Sequence, residues 1–522
     1  MLDDIEKTVE ELKTVIKDLY LSDQIPWIIG YSGGKDSSTC VELVWMALLE
    51  IPEEKRKKNV YVISTDTLVE NPVVAAWVEN SLKKMGDAAR QASLPFVPTR
   101  LYPELKDRFW VNLIGRGYPA PRPRFRWCTE RLKIQTATRF IQSLAESNGE
   151  AILVLGTRRK ESSVRAHTIS KYEHSSRDYL SRNGDPKLSR VWVYTPIVDW
   201  DNDDVWEFIG TFKNPWGVDS SELLDLYRGA TPDNECPLVT DTDTQSCGDS
   251  RFGCFVCTMV SQDKSMQAMI LNDDTKSWMQ PILDFRNNML APNEAERDHR
   301  EFRRMGSNRI ILMNDRLVHG PYTQEYRAKL LKELLKTQKE VKENSPDGGF
   351  RDVDLIGRDE LDEIRRIWVE EKGEIEDVLP GIYKDVYGTE YEGEDFDTVP
   401  LSREDFSTLN DSCVQFVEAN YASEDKKQEK QRVSELYQLA RTLLARSYQA
   451  STTHQRSKQL DEIANIVNQF AFLDEAEALD YARKYMGKGQ DSKNEVMTAS
   501  STSAQEDEEV MNKADNSRDL LV

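Results

Sequence analysis

Residues 27–38 read WIIGYSGGKDSS, and the types and spacing of these residues predict a phosphate-binding loop. The apolar run 27–31 predicts a buried strand, and residues 39–49 have the length and make-up of a helix. The loop between them therefore lies where main-chain amides converge on a helix N-terminus, which binds anions. Glycine permits close backbone approach, lysine adds a point charge and hydroxyls add donors. A Gly-Gly turn with solvated polar side chains is the weaker alternative. The predicted phosphate-binding residues are Ser32, Gly33, Gly34, Lys35, Asp36, Ser37 and Ser38.

Four of the seven cysteines predict a metal centre. Cys236, Cys247, Cys254 and Cys257 follow the spacing C-x10-C-x6-C-x2-C, and the final pair is spaced to chelate one metal. All-thiolate sites suit zinc or iron–sulfur clusters, and zinc ribbons usually pair two CxxC knuckles. Because a single CxxC occurs here, iron–sulfur is favoured. A zinc staple or scattered buried thiols are the alternatives.

Cys128 lies among cations in the segment PRPRFRWCTERLK, residues 121–133. Neighbouring arginines and Lys133 favour the thiolate, which is the form that attacks or accepts sulfur. We therefore predict a catalytic role for Cys128, and the alternative is a loop cysteine packed under Trp127. The remaining cysteines, Cys40 and Cys413, have apolar neighbours that predict core positions.

Alternating strands and helices must position these residues. Such alternation predicts an α/β fold with a parallel sheet, whose carboxyl edge gathers the ligand-binding loops. Asp66, Gly156 and Arg158 follow predicted strands, so they are expected to bind the nucleotide at that edge. Besides the first strand and helix, the pattern predicts strands at 59–64, 95–101, 151–155 and 191–198, and helices at 72–91 and 203–210, the latter capped by Asp201.

The chain of 522 residues is long enough for a catalytic domain and a second unit. Helical periodicity resumes at 267–285, 324–342, 429–447 and 455–486, and Ser345 to Gly349 predicts a hinge. The predicted organisation is a nucleotide-binding domain at 1–214, a Cys-rich segment at 215–265, a helical segment at 266–345, an acidic helical extension at 346–487 and a disordered tail at 488–522.

The net charge of −22 is distributed unevenly along the chain. Residues 341–522 hold 22 basic and 41 acidic residues, whereas the first 340 residues have a net charge of only −3. The N-terminal part can therefore carry local basic patches, and the acidic part suits solubility or protein contacts. No apolar run reaches membrane-spanning length and no secretory leader is evident, so we expect a cytoplasmic protein without a membrane partner.

The glycine loop SGGKDSS resembles that of the PP-loop, or N-type ATP pyrophosphatase, enzymes (adenine nucleotide alpha hydrolase-like), which cleave ATP between the α and β phosphates. Further segments resemble the sulfonucleotide (PAPS) reductase branch of that superfamily. They are Gly156-Thr157-Arg158 with Glu161-Ser162-Ser163 and Arg165, Pro196 to Trp200 with Asp204-Val205-Trp206, and Cys128 with Lys133.

Two features differ from the reductases. No cysteine follows Cys413, so the C-terminal catalytic Cys motif of that branch is missing, and its Cys-Cys pair is also absent. The cysteine tetrad, the chain length and the acidic helical extension instead resemble the DndC family of DNA phosphorothioation proteins. The resemblance implies a 4Fe-4S cluster, DNA as substrate, a cysteine desulfurase as sulfur and cluster donor, and DndD- and DndE-type partner proteins.

The resemblance implies an ATP-dependent sulfurtransferase. Lys35 and the loop amides would hold the pyrophosphate of ATP, and Asp36 would orient Mg²⁺. A persulfide on Cys128 would then displace AMP from an activated backbone phosphate. Tyr118, Phe125 and Trp127 among the basic residues could stack on nucleic-acid bases. A sulfonucleotide reductase, a tRNA thiolase and a non-catalytic nucleotide-sensing scaffold remain alternatives.

Overall fold

The structure is a computed structural model, and ten stretches of the chain are described. They are residues 2–123, 125–161, 179–230, 253–291, 294–304, 310–346, 354–393, 401–452, 463–468 and 470–485. Cys236, Cys247 and Arg124 lie outside these stretches, as do residues 162–178 and the predicted tail.

Six short strands form one sheet in the N-terminal half. They are β1 (Trp27–Gly30), β2 (Val60–Thr65), β3 (Phe96–Leu101), β4 (Ala151–Val154), β5 (Ser181–Arg182) and β6 (Val191–Tyr194). Their order across the sheet is β3-β2-β1-β4-β6-β5, so β1 is one of the two central strands. Ile29 of β1 pairs with Val62 on one side and with Val154 on the other, both in parallel register. The α/β fold with a parallel core is therefore confirmed.

The edge strand β5 corrects the expectation of a wholly parallel sheet. Ser181 pairs with Val193 and Arg182 pairs with Trp192 in antiparallel register. A connection of eight residues joins β5 to β6, and so short a connection suits an antiparallel pair, whereas a parallel pair needs a long crossover. The predicted strand at 191–198 is also shorter than expected, because it ends at Tyr194 and a turn follows.

In the part of the chain that the structure describes, six helices accompany the sheet. They are α1 (Leu2–Leu21), α2 (Lys35–Leu49), α3 (Pro72–Gln91), α4 (Gln135–Asn148), α5 (Asn202–Thr211) and α6 (Ser220–Gly229). Both ends of α3 agree with the prediction, since Asn71 caps its first turn and Pro72 begins it. The predicted cap Asp201 is confirmed as part of a capping box. The start predicted for α2 at residue 39 is wrong by four residues, because Lys35 to Ser38 form its first turn.

The C-terminal half is helical, as predicted. Its helices are α7 (Lys264–Asn272), α8 (Gln280–Phe285), α9 (Gln324–Asn344), α10 (Arg358–Arg366), α11 (Val378–Tyr387), α12 (Arg403–Asn420), α13 (Lys426–Thr452) and α14 (Glu475–Tyr485), and residues 463–468 are also helical. Two short antiparallel strands, β7 (Leu312–Met313) and β8 (Arg316–Leu317), form a hairpin. The single helix predicted at 267–285 is wrong, because Asp273 is extended and caps a separate turn, Asp274–Met279, before α8 begins.

Shorter helical turns complete the described chain. The 3-10 turns are Glu53–Lys55, Leu105–Asp107, Arg159–Glu161, Pro186–Leu188, Asp274–Met279 and Glu294–His299. The π-helical turns are Val111–Arg116, Thr129–Ile134, Arg286–Leu290 and Ile367–Glu371.

The alternation of side chains along the strands divides the sheet into two faces. Trp27 and Ile29 of β1 face the first core, into which α1, α2, α3, α5 and α6 pack. Ile28 faces the opposite side, where it packs with Ile141 of α4. Cys40 lies in the first core with no exposed surface, which confirms its predicted place.

A second core joins the N-terminal and C-terminal halves of the chain. The connection between β3 and β4 leaves the sheet and contributes the fully buried Phe109 and Trp110 to this core. The indole of Trp110 donates to the carbonyl of Leu355 at 2.6 Å, and the indole of Trp368 donates to the carbonyl of Ile114 at 3.0 Å. These bonds satisfy both buried indoles across the junction of the two halves.

The predicted domain boundaries stay predictions. The second core takes Leu335 and Val341 from before residue 346 and Leu361 and Ile364 from after it, so these two predicted segments share hydrophobic packing. Cys413 is buried, in agreement with its predicted place. Within the described stretches, no helix combines the length and the apolar character that crossing a bilayer would require.

Candidate functional site

The glycine loop between β1 and α2 has a backbone that only glycine fits at one position. Gly33 has a φ of +75°, and a Cβ there would lie 2.6 Å from Cγ2 of Val78. The indole Nε1 of Trp77 donates to the carbonyl of Gly33 at 3.1 Å. Helix α3 therefore forms a wall behind the loop and fixes its path. A side chain at Gly33 would collide with that wall.

Hydroxyl groups hold the loop from inside. Ser37 Oγ donates to the carbonyl of Gly34 at 3.0 Å and accepts from the amide of Ser32 at 3.2 Å. The first intrahelical bond runs from the amide of Ser38 to the carbonyl of Gly34 at 3.0 Å. The amides of residues 35–37 precede that bond, as in the first turn of any helix, and no side chain of Gly34 covers them. This geometry fits a phosphate group.

Asp36 and Arg158, which lie 122 residues apart in the chain, form an ion pair beside the loop. Nε of Arg158 lies 2.6 Å from Oδ1 of Asp36, and Nζ of Lys35 lies 3.4 Å from Oδ2. The loop after β4 also contacts the backbone here, since a Cβ at Gly156 would lie 2.8 Å from the carbonyl oxygen of Asp36. The structure thus brings together four residues that the sequence assigned to the nucleotide site.

Asp66 lies just beyond the carboxyl end of β2, as predicted, but a cation that the sequence analysis missed holds it. Nη2 of Arg100 lies 3.0 Å from Oδ2 of Asp66, and Oδ1 accepts from the amide of Leu68 at 2.8 Å. Arg100 also donates to Ser64 Oγ at 2.9 Å. A basic residue at the end of β3, beside an acid at the end of β2, is the signal that could have indicated this pair.

The described part of the Cys-rich segment packs directly on the loop that follows β2. The amide of Phe255 donates to the carbonyl of Val69 at 2.9 Å, and the amide of Asn71 donates to the carbonyl of Gly253 at 3.4 Å. Thr67 Oγ1 lies 3.3 Å from Sγ of Cys254. One loop therefore carries Asp66 at the nucleotide edge and contacts a cysteine of the predicted metal centre.

The CxxC pair forms a tight turn. The amide of Cys257 donates to the carbonyl of Cys254 at 2.9 Å, and a turn of this kind brings the first and fourth residues close together. The guanidinium of the buried Arg286 donates to the carbonyl of Cys257 at 2.9 and 3.1 Å and so fixes the end of the turn. Phe255 and Val256 are buried in the second core. Two thiols on a rigid, apolar turn fit a metal or cluster site.

Cys128 lies in the same electrostatic environment as this pair. Burial raises the pKa of the Cys128 thiol to about 12, and Cys254 and Cys257 act in the same direction. The charge of Cys254 raises the pKa of Lys133, although burial opposes that effect. The high pKa of Cys128 runs against the expectation that neighbouring cations favour its thiolate. The physical reason is burial, which is the largest cause of the shift.

The four-cysteine centre remains a prediction. Cys236 and Cys247 lie outside the described residues, and within those residues no group of three or more His, Cys, Asp or Glu side chains has metal-holding geometry. The segment with Ser162, Ser163 and Arg165 is likewise outside.

Most of the predicted basic stretch is engaged in ion pairs. Arg116 pairs with Glu371 at 3.0 Å, and Arg131 pairs with Asp107 at 3.0 Å. Arg122 is bound to Glu296. Arg126 differs, because it is exposed and no ion pair joins it to another residue that the structure describes.

The expectation that Trp127 stacks on bases is wrong. Trp127 is buried, stacks on Phe109 at a centroid distance of 5.2 Å, and donates to the carbonyl of Pro119 at 3.0 Å. The rim of its ring is covered by Tyr118, which meets it edge-on at 5.4 Å. Trp127 therefore belongs to the second core.

Residues 26–217 match the model of the phosphoadenosine phosphosulfate reductase domain. This span contains the glycine loop, Asp66, Cys128 and the Gly156–Arg158 loop, and it ends before the CxxC turn. Over these residues the chain is therefore similar to the phosphoadenosine phosphosulfate reductase domain, and a helical region follows.

One relative is an uncharacterized protein of Methanocaldococcus jannaschii, which is 25% identical over 242 residues. That match covers 46% of this chain and 38% of the relative, so the chain spans well under half of the relative's length.

Two solved structures are similar at low TM-scores. The FMN adenylyltransferase of Candida glabrata, in complex with FAD and inorganic pyrophosphate, has a TM-score of 0.24 and 14% identity, covering 44% of this chain and 63% of that chain. The U34-tRNA thiolase NcsA of Methanococcus maripaludis, with its [4Fe-4S] cluster, has a TM-score of 0.26 and 13% identity, covering 56% of this chain and 83% of that chain.

Proposed function

We propose that this protein is an ATP-dependent sulfurtransferase that replaces an oxygen of a DNA backbone phosphate with sulfur. The observation that carries the proposal is the loop 66–71. Its first residue, Asp66, follows β2 at the same sheet edge as the glycine loop, and the next, Thr67, contacts Cys254. A nucleotide-activating site and a thiol site are thereby joined by one short piece of backbone.

The glycine loop supports the first half of the reaction. Lys35 and the amides at the start of α2 would hold the β and γ phosphates of ATP, because cations and helix N-termini stabilise phosphate charge. Attack of a backbone phosphate oxygen on the α-phosphorus forms an adenylylated phosphate and releases pyrophosphate. Asp36, paired with Arg158 at 2.6 Å, would hold Mg²⁺, which would spread charge on the phosphates when bound.

Cys128 would supply sulfur in the second half. A persulfide on this residue attacks the activated phosphorus through its terminal sulfur, and AMP leaves with the bridging oxygen. A thiol reductant then cleaves the sulfur–sulfur bond and leaves sulfur on the phosphate. Cys128 is half-buried, which supports this role because a persulfide there would be partly shielded from water and still be open to an acceptor.

The donor set supports an iron–sulfur cluster. Cys254 and Cys257 lie on one rigid turn, and Cys236 and Cys247 would complete the ligands. A cluster there would supply electron transfer near the sulfur site. The positive charge of Lys133 would offset the negative charge of the thiolates in this pocket.

The DNA acceptor and the partners rest on the sequence resemblance to the DndC family. The exposed Arg126 supports a polyanion contact next to Cys128, because it is close in sequence to the sulfur carrier and its charge faces solvent. The proposed partners are a cysteine desulfurase and the DndD- and DndE-type proteins.

Mass spectrometry of DNA tests the proposal. Cells that express the wild-type chain with its partners should contain phosphorothioate dinucleotides after nuclease digestion, whereas cells with Cys128→Ser should contain none. Purified Cys128→Ser should still release pyrophosphate from ATP, and Lys35→Ala should lose at least about 100-fold in that release. DNA without sulfur in the wild-type cells would contradict the proposal.

A sulfonucleotide reductase is the second candidate, because residues 26–217 match the phosphoadenosine phosphosulfate reductase domain. Thioredoxin-dependent release of sulfite from a sulfonucleotide would favour it. A tRNA thiolase would instead leave sulfur in RNA, so RNase sensitivity of a co-purified nucleic acid separates that alternative from DNA modification.

A further inference from the structure

The phenol of Tyr227 lies on the glycine loop, although 192 residues separate it from Lys35 in the chain. The amide of Lys35, the first residue of α2, donates to the Tyr227 hydroxyl at 3.4 Å. A Cβ at Gly34 would lie 3.1 Å from that hydroxyl, so the phenol oxygen is in close contact with the loop backbone.

The ring of the same tyrosine lies beside a cation. Nζ of Lys35 is 5.8 Å from the centroid of the Tyr227 ring. The amide of Lys35 and the phenol hydroxyl therefore meet at the N-terminus of α2, and the ammonium group of Lys35 lies near the phenol ring. All three groups donate hydrogen bonds, and a concentration of donors at a helix N-terminus is suited to a phosphate oxygen.

Helix α6 places Tyr227 rigidly. Asp219 caps the helix, and Leu223, one turn before Tyr227, packs in the first core. The ring of Trp206 meets the Tyr227 ring edge-on at 5.4 Å, with an interplanar angle of 88°. Tyr227 itself is buried, so its hydroxyl has little freedom to leave the loop.

We propose that Tyr227 is a substrate-contacting residue whose hydroxyl donates a hydrogen bond to a β- or γ-phosphate oxygen of the nucleotide. This inference rests on the proposed nucleotide site. It adds to that site a phosphate-contacting residue from outside the glycine loop. The 3.4 Å separation between amide and hydroxyl is long for a hydrogen bond. A phosphate oxygen can therefore accept from both donors with a small shift of the ring.

Calorimetric titration of the full-length protein with ATP, with inorganic pyrophosphate and with AMP tests this role. Tyr227→Phe keeps the ring and removes only the hydroxyl, so folding should be retained. We expect the dissociation constants of ATP and pyrophosphate to rise about tenfold, the effect of one hydrogen bond to a charged acceptor. The dissociation constant of AMP should not change, because AMP lacks the β and γ phosphates.

Tyr20→Phe is the matched control. Its hydroxyl donates to the carbonyl of Lys58 at 2.7 Å, and its ring packs on Trp27 at the opposite end of β1 from the glycine loop. This variant should bind all three compounds as the wild type does.

The outcomes separate this inference from the proposed function. A wild-type protein that binds neither ATP nor pyrophosphate contradicts the proposed function itself. If the wild type binds ATP and Tyr227→Phe binds it equally or more tightly, the role of Tyr227 is contradicted and the proposed function stands. If Tyr227→Phe loses as much affinity for AMP as for ATP, a contact with the β or γ phosphate is also contradicted, since such a loss would indicate a general distortion of the site.

Discussion

The hydroxyl of Thr67 lies 3.3 Å from the sulfur of Cys254, across 187 residues of sequence. Thr67 is fully buried, whereas Cys254 is half-buried. The exit of β2 and the CxxC turn are therefore fixed to each other. A displacement of one should therefore displace the other, because close-packed contacts have little room to relax.

Replacement of Cys254 should remove the metal centre. Cys254→Ser loses a thiolate ligand, so the iron content after anaerobic reconstitution should fall at least about fivefold. Cys413→Ser is the control, because Cys413 is buried on α12 and is not among the predicted ligands. Iron and acid-labile sulfide are measured per chain. Full iron retention in Cys254→Ser would contradict the assignment.

Gly156→Ala should disturb the nucleotide site through the backbone of Asp36. A Cβ at this position would lie 2.8 Å from the Asp36 carbonyl oxygen, so one of the two loops must move. The free energy of unfolding should fall by about 1–3 kcal/mol, and the affinity for ATP should fall about tenfold. Denaturant titration and calorimetry measure the two effects.

Gly210→Ala provides the comparison for Gly156→Ala. Gly210 lies in α5, and no atom would lie within 4 Å of an added Cβ. Because alanine favours helix over glycine, this variant should be as stable as the wild type or slightly more stable. Equal behaviour of both variants would mean that the close approach at Gly156 has no consequence for the site.

Arg126→Glu should weaken binding to DNA. The side chain is exposed and would lose one phosphate contact, so the slope of log affinity against log salt should decrease by about 1. Lys55→Glu makes the same change of charge in the turn that precedes β2, at the edge of the sheet opposite the glycine loop. Fluorescence anisotropy with labelled duplex DNA should show unchanged binding for Lys55→Glu. An identical loss in both variants would indicate a net-charge effect alone.

Glu42 should make stability depend on pH. Burial raises the pKa of this carboxyl to about 8, and the hydrogen bond from Asn214 at 2.9 Å opposes that shift only in part. Between about pH 4.5 and pH 8 the folded chain therefore keeps the proton on Glu42, whereas the unfolded chain has lost it. The stability that the neutral carboxyl contributes is fully present below about pH 4.5, and it is lost as the pH rises through about 8.

Glu42→Gln should remove this dependence, because glutamine stays neutral. Between pH 5 and pH 9 the free energy of unfolding of this variant should fall less than that of the wild type, by about 4 kcal/mol. Urea denaturation at several pH values measures the difference. Glu79→Gln, at an exposed position of α3, should follow the wild-type curve. A wild-type slope in Glu42→Gln would show that Glu42 is ionised in the folded protein.

Local signals in the sequence predicted the elements that carry the site. The Asn71-Pro72 pair marks the start of α3, and the apolar runs mark the strands, because capping and burial are properties of neighbouring residues. The glycine loop is predictable for the same reason, since a strand, two glycines and a helix follow one another within residues 27–49.

Contacts between distant residues were not predictable in this way. Arg100 beside Asp66 and Tyr227 on the glycine loop depend on how strands and helices pack. The burial of Trp127 was also missed. A basic, aromatic-rich segment has the same sequence pattern whether its rings face solvent or pack into a core, and here a later part of the chain supplies that core.

The long excursion between β3 and β4 has a consequence for any shortened version of the protein. Phe109 and Trp110 are covered by side chains that come from beyond residue 250. A fragment ending at residue 217, where the reductase-type match stops, would leave these rings in water. Such a fragment should aggregate, and the two halves should melt together in a single transition.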